Sequence, residues 1–326
     1  MHYVIGIDGG GTKTDIVLCS EDGTVIKRKK TSGSNHQIIG CPEAIRILKN
    51  GIEEIVRKNL SENDQLDYIM GGLAGADFEE DVSLLRGKLK KEFPDVNIEI
   101  VNDVWLPLAT EVPDGPAAVS VCGTGHNTAL RLKNGKKRQI SALDFILGNG
   151  NGGNMICDLA FHYACRAAEF TGPETRLTSE LPRLYAQPDM LTLQKWMYLH
   201  GKEGVHKSGV SQLVCRLASE RDPVSENILI SVATRQAEMT LGLIRHEKME
   251  QTSFPLVLSG SVYLSDDSYI VREKYCEMIH KGCPGAKIIL SRSDPVVGAV
   301  LMAMVSDGRY SSKLHEKIVS GIKAQS

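Results

Sequence analysis

No Cys-x-x-Cys pair occurs in this chain of 326 residues, although eight cysteines are scattered through it, at positions 19, 41, 122, 157, 165, 215, 276 and 283. Those spacings exclude the common zinc and iron–sulfur frameworks and read as reduced, mostly buried thiols of a cytoplasmic protein. An excess of either charge is also missing. Lys and Arg number 38 against 40 Asp and Glu, a formal net charge of −2. Nothing electrostatic therefore favours nucleic acid or an anionic membrane surface. No apolar run is long enough to span a bilayer. The N-terminus enters a strand at once, without the pattern of a signal peptide. What remains is an ordinary globular composition, 42% apolar and 24% charged, on a chain long enough for two cores.

Periodicity predicts the order βββαβαβ for the first hundred residues. Val4–Ile7, Thr14–Leu18 and Val25–Lys29 alternate as an antiparallel meander. Pro42 opens a helix whose Ile45, Leu48, Ile52, Ile55 and Val56 share one face. A strand at Tyr68–Leu73, a helix carrying Val82, Leu85 and Leu89, and a strand at Val96–Val101 follow. This is an α/β layer fold with an antiparallel edge on a parallel sheet. Glu111–Pro116 reads as a turn-rich hinge, after which the βββ pattern restarts. The expected domains are 1–115 and 116–326, with the basic C-terminal segment from Tyr310 forming a helix that packs back on the first lobe.

The restart brings back a particular loop. Asp8-Gly9-Gly10-Gly11-Thr12-Lys13-Thr14 joins the first two strands, and Gly123-Thr124-Gly125-His126-Asn127 joins the equivalent pair in the second half. Glycines at a hairpin bend let backbone N–H groups approach an anion, and threonine hydroxyls add donors. One such bend is weak evidence; two in equivalent places suggest two lobes gripping one polyphosphate, as in ATP chemistry. Lys13 reads equally as a charge on the phosphates or a solvated turn residue. Asp8 ends its strand at the first loop, and a carboxylate beside phosphates implies Mg²⁺, held through water. Asp103 ends a predicted sheet strand, where α/β sheets usually place ligands. It fits a general base for phosphoryl transfer to an alcohol, and it fits a helix N-cap before Val104–Ala109. His126 reads as a polar loop residue, and Trp105 as packing.

Together these segments resemble the family of N-acetylglucosamine kinase and its relatives. That family is grouped with the ATPase activators of benzoyl-CoA reductase and 2-hydroxyacyl-CoA dehydratases in the actin/hexokinase/Hsp70 superfamily. The likeness covers essentially the whole chain. Asp8–Thr14 and Gly123–Asn127 are similar to the two phosphate motifs, and Ser259-Gly260-Ser261-Val262 to the adenosine motif. Pro295–Ala299 is similar to the glycine-containing helix near the nucleotide, here with Gly298. Ser34–Gly40, with Asn35 and His36, resembles the sugar loop, and Gly72–Asp77, with Gly75 and Ala76, a second sugar-side loop. Asn102-Asp103 with Leu108-Ala109-Thr110 resembles the catalytic-base segment. The resemblance implies two ribonuclease-H-like lobes around a nucleotide and sugar cleft. It implies ATP with Mg²⁺ bound through Asp8 and Asp103, phosphate contacts from Gly10–Lys13 and Gly123–Gly125, and adenosine contacts from Gly260, Ser261 and Gly298. Sugar contacts would come from Asn35, His36, Gly75, Ala76, Asp103, Thr124 and Asn149. A homodimer is an expectation at the family level.

One segment departs from the pattern. Where the family carries Gly-Asp-Glu-Gly-Ser-Gly, this chain has Gly148-Asn149-Gly150-Asn151-Gly152-Gly153. Asn149 is a neutral partner where an Asp would bind sugar hydroxyls, and Gly150 removes the side chain of a Glu. The substitution predicts weak activity on plain N-acetylglucosamine, or preference for a derivative. Two further classes stay open. A regulatory protein that kept the cleft but lost turnover is supported by Asn149 and Gly150 and opposed by Asp8 and Asp103. An ATPase activator is disfavoured by the lack of cysteines placed to hold a cluster.

Overall fold

Two turns set the first lobe's meander, and the computed structural model shows it within a description that covers residues 1–143, 145–149, 152–201 and 207–325. Strands β1 (His2–Gly9), β2 (Lys13–Ser20) and β3 (Val25–Ser32) run antiparallel. The helices α1 (His36–Ile39) and α2 (Cys41–Asn59) lead to β4 (Gln65–Leu73), which lies parallel to β1. Helix α3 (Glu79–Glu92) and β5 (Asn97–Asn102) complete the sheet, and α4 (Trp105–Glu111) leaves it. β1 and β2 are buried almost throughout, whereas the edge strand β3 shows solvent Lys27 and Lys30, charges that deter pairing with another edge. Ala44, Ile45, Leu48, Ile52 and Ile55 of α2 are buried against this sheet, as the spacing predicts.

The second half repeats the plan with a long helical insertion. Strands β6 (Ala117–Cys122), β7 (His126–Arg131) and β8 (Lys137–Gln139) form the meander. Five helices follow: α5 (Gly153–Ala168), α6 (Leu177–Leu184), α7 (Met190–His200), α8 (Val210–Ser219) and α9 (Pro223–His246). The chain then runs through β9 (Phe254–Ser259), α10 (Ser261–Leu264), α11 (Tyr269–Gly282), β10 (Ala286–Leu290), α12 (Val296–Ser306) and α13 (Ser312–Lys323). The first sheet is ordered β3-β2-β1-β4-β5 and the second β8-β7-β6-β9-β10, so each strand has its counterpart five strands on.

The helix that follows each fifth strand crosses to the other sheet. α4 packs against β6 and β9, while α12 packs against β1, β2 and β4. Their apolar side chains join Val4, Val17 and Met70 of the first sheet and Val119, Ala129 and Val257 of the second in one central core. α13 adds Ile318 and Ile322 to that core and lies on β3. At the crossing of α4 and α12, a Cβ on Gly298 would lie 2.0 Å from the Leu106 carbonyl oxygen, so no larger residue fits. Gly298 is buried at this crossing of α12 and α4. Nearby, the buried Arg28 guanidinium pairs with Asp15 and, at 2.8 Å, with Asp294 just before α12. The pairs tie the β2–β3 ribbon to the helix that crosses over it.

Candidate active site

The C-terminal ends of β1, β4 and β5 bring three expected segments together. Asp8 is the penultimate residue of β1, the Ala74–Asp77 loop leaves β4, and Asp103 follows β5 directly. The bend after β1 closes by Gly10 N donating to Lys13 O at 2.9 Å, with Gly11, Thr12 and Lys13 exposed. It is braced from behind, since Ser34 N donates to Gly10 O at 3.0 Å and Thr14 Oγ1 to Ser34 Oγ at 2.8 Å. The sugar-loop segment thus rests on the first phosphate-type bend.

The bend between β6 and β7 is braced by α5. Gly153 N donates to Gly123 O at 2.8 Å and Asn154 N to Thr124 O at 2.9 Å. Thr124 and Gly125 are exposed, and nothing lies within 4 Å of a Cβ built on Gly123 or Gly125. Gly260 differs: its φ of +94° and its approach to the Cys122 backbone, 2.3 Å from a Cβ, make it a packing glycine at the head of α10. Ser261 beside it is exposed.

Asp8 and Asp103 are both partly buried. Burial, then the charges of Asp103 and Asp15, push the Asp8 carboxyl up to about 7, with Lys13 pulling the other way. Burial, then the charge of Asp77, pushes Asp103 up to about 6. Perturbed carboxylates at the ends of parallel strands mark a functional site. At the turn into α4, Asn102 Oδ1 accepts from Val104 N at 3.0 Å, and backbone N–H groups of Asp103 and Val104 offset part of the upward push on the Asp103 carboxyl.

The sugar-side residues divide. Asn35 caps α1 by accepting from Gln37 N at 2.9 Å, and Gly75 lies against it. His36 turns its ring to Asp81, with Nε2 3.2 Å from Oδ1, and its Nδ1 is buried without a partner among the described residues. Ala76 is 2% exposed and packs in the first lobe's core, its N–H donated to Leu73 O. The ring of His36 and the side chain of Ala76 thus face protein rather than an open surface. Asn149 is 7% exposed; its Nδ2 donates to His126 O at 3.2 Å, while Oδ1 has no partner among the described residues. A cavity of about 670 Å³ beside it is bordered by Thr124, Gly125, Asn154, Asp158 and Lys207, a size that suits a small ligand. Gly150 lies outside the described residues.

Sequence reasoning missed what links the second bend to the segment of Asp103. Asn127 Nδ2 donates to Asn102 Oδ1 at 3.2 Å, which sets β7 of the second sheet beside the residue preceding Asp103. Asn102 Nδ2 donates in turn to Asp77 Oδ1 at 2.8 Å. Gln139 accepts from the Trp105 indole N–H at 2.7 Å, so Trp105 both packs and bridges. Each partner lies 25 or more residues away, and no local pattern signals such a pairing.

His126 also differs from the loop residue expected. It opens β7, is 4% exposed, and its Nε2 lies 2.9 Å from Ser120 Oγ. Burial alone pulls its pKa down to about 3. A histidine held neutral contributes stability that is complete above its unfolded value, near 6.5, and is lost as pH falls towards the folded value. By pH 5 that loss amounts to about 2 kcal/mol relative to pH 7. His126→Gln cannot titrate, so denaturant unfolding should show its stability falling less steeply than wild type between pH 7 and pH 5. Parallel pH profiles would remove His126 from the acid response.

Comparison with known proteins follows this geometry. The sequence profile of the BadF/BadG/BcrA/BcrD ATPase family matches residues 5–303. The chain is 26% identical to N-acetyl-D-glucosamine kinase of Dictyostelium discoideum, over 93% of this chain and 98% of that protein. It is 25% identical to N-acetylmuramic acid/N-acetylglucosamine kinase of Clostridium acetobutylicum, over the same shares of each. A solved structure from Chromobacterium violaceum, provisionally named an N-acetylglucosamine kinase, superposes with a TM-score of 0.68 at 17% identity, over 92% of this chain and 98% of that one. At that identity the superposition speaks for the two-lobed fold.

Proposed function

The chain belongs to the BadF/BadG/BcrA/BcrD ATPase family, and we propose that it is an ATP-dependent kinase phosphorylating a hydroxyl of an amino sugar, N-acetylglucosamine or a close derivative. The observation that carries this reading is the 3.2 Å bond between Asn127 and Asn102, which brings the second glycine bend beside the segment holding Asp103. A phosphate-type loop and a basic carboxylate are thereby neighbours. Asp103, raised to about 6, stays ionised at neutral pH and is a stronger base than an ordinary aspartate. In this reading it takes the proton of the acceptor hydroxyl, and N–H groups of the two bends hold the phosphates. Residues 1–115 and 116–326 act as the two lobes, with α12 and α13 docked on the first, and their closure excludes water.

Asp8 and Asp103 suit Mg²⁺. Asp8 is a carboxylate pushed up first by burial and then by its acidic neighbours Asp103 and Asp15, a stress that a cation would relieve. No group of three or more metal-ligating side chains assembles among the described residues. Mg²⁺ needs none, because it keeps several waters and leans on one or two carboxylates and on phosphate oxygens. When bound it neutralises charge on the transferring phosphate.

Asn149 offers one unpartnered oxygen in place of a charged carboxylate. A charge-assisted bond is worth ~1.5–3 kcal/mol against about 0.5–1.5 for a neutral one, so the acceptor preferred here is a derivative bringing another donor to this loop. A kinase assay across amino sugars and their substituted forms tests the reading. Phosphorylation should be strongest on a substituted amino sugar, and no transfer to any member of the panel would remove the kinase. In the same assay, Gly125→Val fills space open in the protein and should raise the KM for ATP by about tenfold, roughly 1.4 kcal/mol, with sugar KM within about twofold. An unchanged ATP KM would take the nucleotide off this bend.

A further inference from the structure

One carboxylate that touches no reacting atom in the mechanism above, although its charge raises Asp103, is bonded from two sides. Asp77 leaves β4 on the sugar-side loop. Its Oδ2 accepts from Gln37 Nε2 at 3.2 Å, and the same amide donates to Gly75 O at 2.9 Å. Its Oδ1 accepts from Asn102 Nδ2 at 2.8 Å. Asn102 Oδ1 then accepts from both Val104 N and Asn127 Nδ2. A single chain of amide and carboxylate bonds thus runs from the loop of Asn35 and Gln37, past the residue before Asp103, to the strand leaving the second phosphate-type bend. Its polarity converges on Asp77: each amide spends its N–H on the next oxygen towards that carboxylate, which accepts from both sides. Asn127 Oδ1 at the far end is buried and unpartnered among the described residues.

We propose that Asp77 is a positioning residue that couples the acceptor loop to the second phosphate bend, so that ATP is turned over efficiently only when an acceptor is seated. The inference rests on the kinase reading and deepens it. An acceptor pressing on the Asn35–Gln37 loop moves Gln37, and Asp77 and Asn102 are the only polar side chains in that relay before Asn127. A neutral residue at 77 has one acceptor oxygen, cannot hold both amides as firmly, and lets the two loops move independently. Bound ATP is then exposed to water while the acceptor site is empty.

The test compares phosphosugar formation with ADP release in the presence and absence of the best acceptor from the panel. Wild type must first phosphorylate that acceptor; failure there removes the kinase reading itself. Asp77→Asn should raise acceptor KM by tenfold or more, leave ATP KM within twofold, and raise the ratio of acceptor-independent ADP release to phosphosugar several-fold. The double exchange Asp77→Asn with Asn102→Asp restores a donor facing an acceptor with the total charge unchanged, and should recover most of both losses. Gln37→Leu, at an exposed position, breaks the outer end of the chain without threatening the fold and should move the ratio in the same direction. A folded Asp77→Asn or Gln37→Leu protein with wild-type acceptor KM and ratio overturns the coupling. So does a double exchange no better than its single parents, because a purely structural Asp77 would lower melting temperature without changing where ATP goes.

Discussion

Asp103→Asn should retain nucleotide and sugar binding while kcat falls by about 10²–10⁴-fold, the range a positioned general base contributes. The replacement keeps the shape of the side chain, and Asn102 Oδ1 accepts from Val104 N at the turn into α4, so the fold has no reason to change. The loss should appear in kcat more than in KM, because proton removal belongs to the transition state. Turnover unchanged in a variant that still binds both ligands by calorimetry would dismiss Asp103 as the base.

Asp8→Asn should be as damaging to turnover and should act oppositely on the empty protein. Without the carboxylate, Mg²⁺ loses its foothold at the first bend, and activity should drop by about 10²-fold or more, with an increased Mg²⁺ requirement. The folded-state pKa of Asp8, about 7, lies above the ordinary carboxylate value. Its contribution to stability is therefore complete at low pH and is lost as pH rises through 7. At pH 8 the wild type carries an ionised carboxylate that burial, Asp103 and Asp15 all disfavour. The variant does not, so its ligand-free melting temperature should exceed wild type by about a few degrees at pH 8 and converge with it near pH 4. A variant less stable than wild type at pH 8 would show that Asp8 is not held under electrostatic stress.

Much of this architecture was legible because its signals are local. The meander turns, the apolar face of α2 and the glycine bends each occupy a few consecutive residues, and their recurrence announced the doubled plan that the strand orders display. Asp8 and Asp103 were legible because a carboxylate ending a strand is itself a short pattern. The hidden part depends on distant partners. Nothing near Asn102 announces Asn127, and nothing near His126 announces that it opens a buried strand beside Ser120. The need for glycine at 298 is hidden too, because the Leu106 carbonyl that excludes a side chain is almost two hundred residues away. The direction of the His36 ring towards Asp81 and the packing of Ala76 are likewise set by what surrounds them in space.

The exchange of α4 and α12 between the sheets also bears on how the chain is made. The first sheet's inner face, with Val4, Val17 and Met70, is covered by α12 and α13, which are synthesised after the whole of the second sheet. Throughout synthesis of the roughly 190 residues between Asn102 and Val296, that face has no native cover, while the outer face can already close under α2 and α3. The first lobe therefore becomes stable only together with the second, once α12 has been made, rather than ahead of it. A ribosome stalled before Val296 should hold a nascent first lobe that proteases cut readily, and a chain with α12 and α13 clear of the ribosome should have both lobes protected in one step.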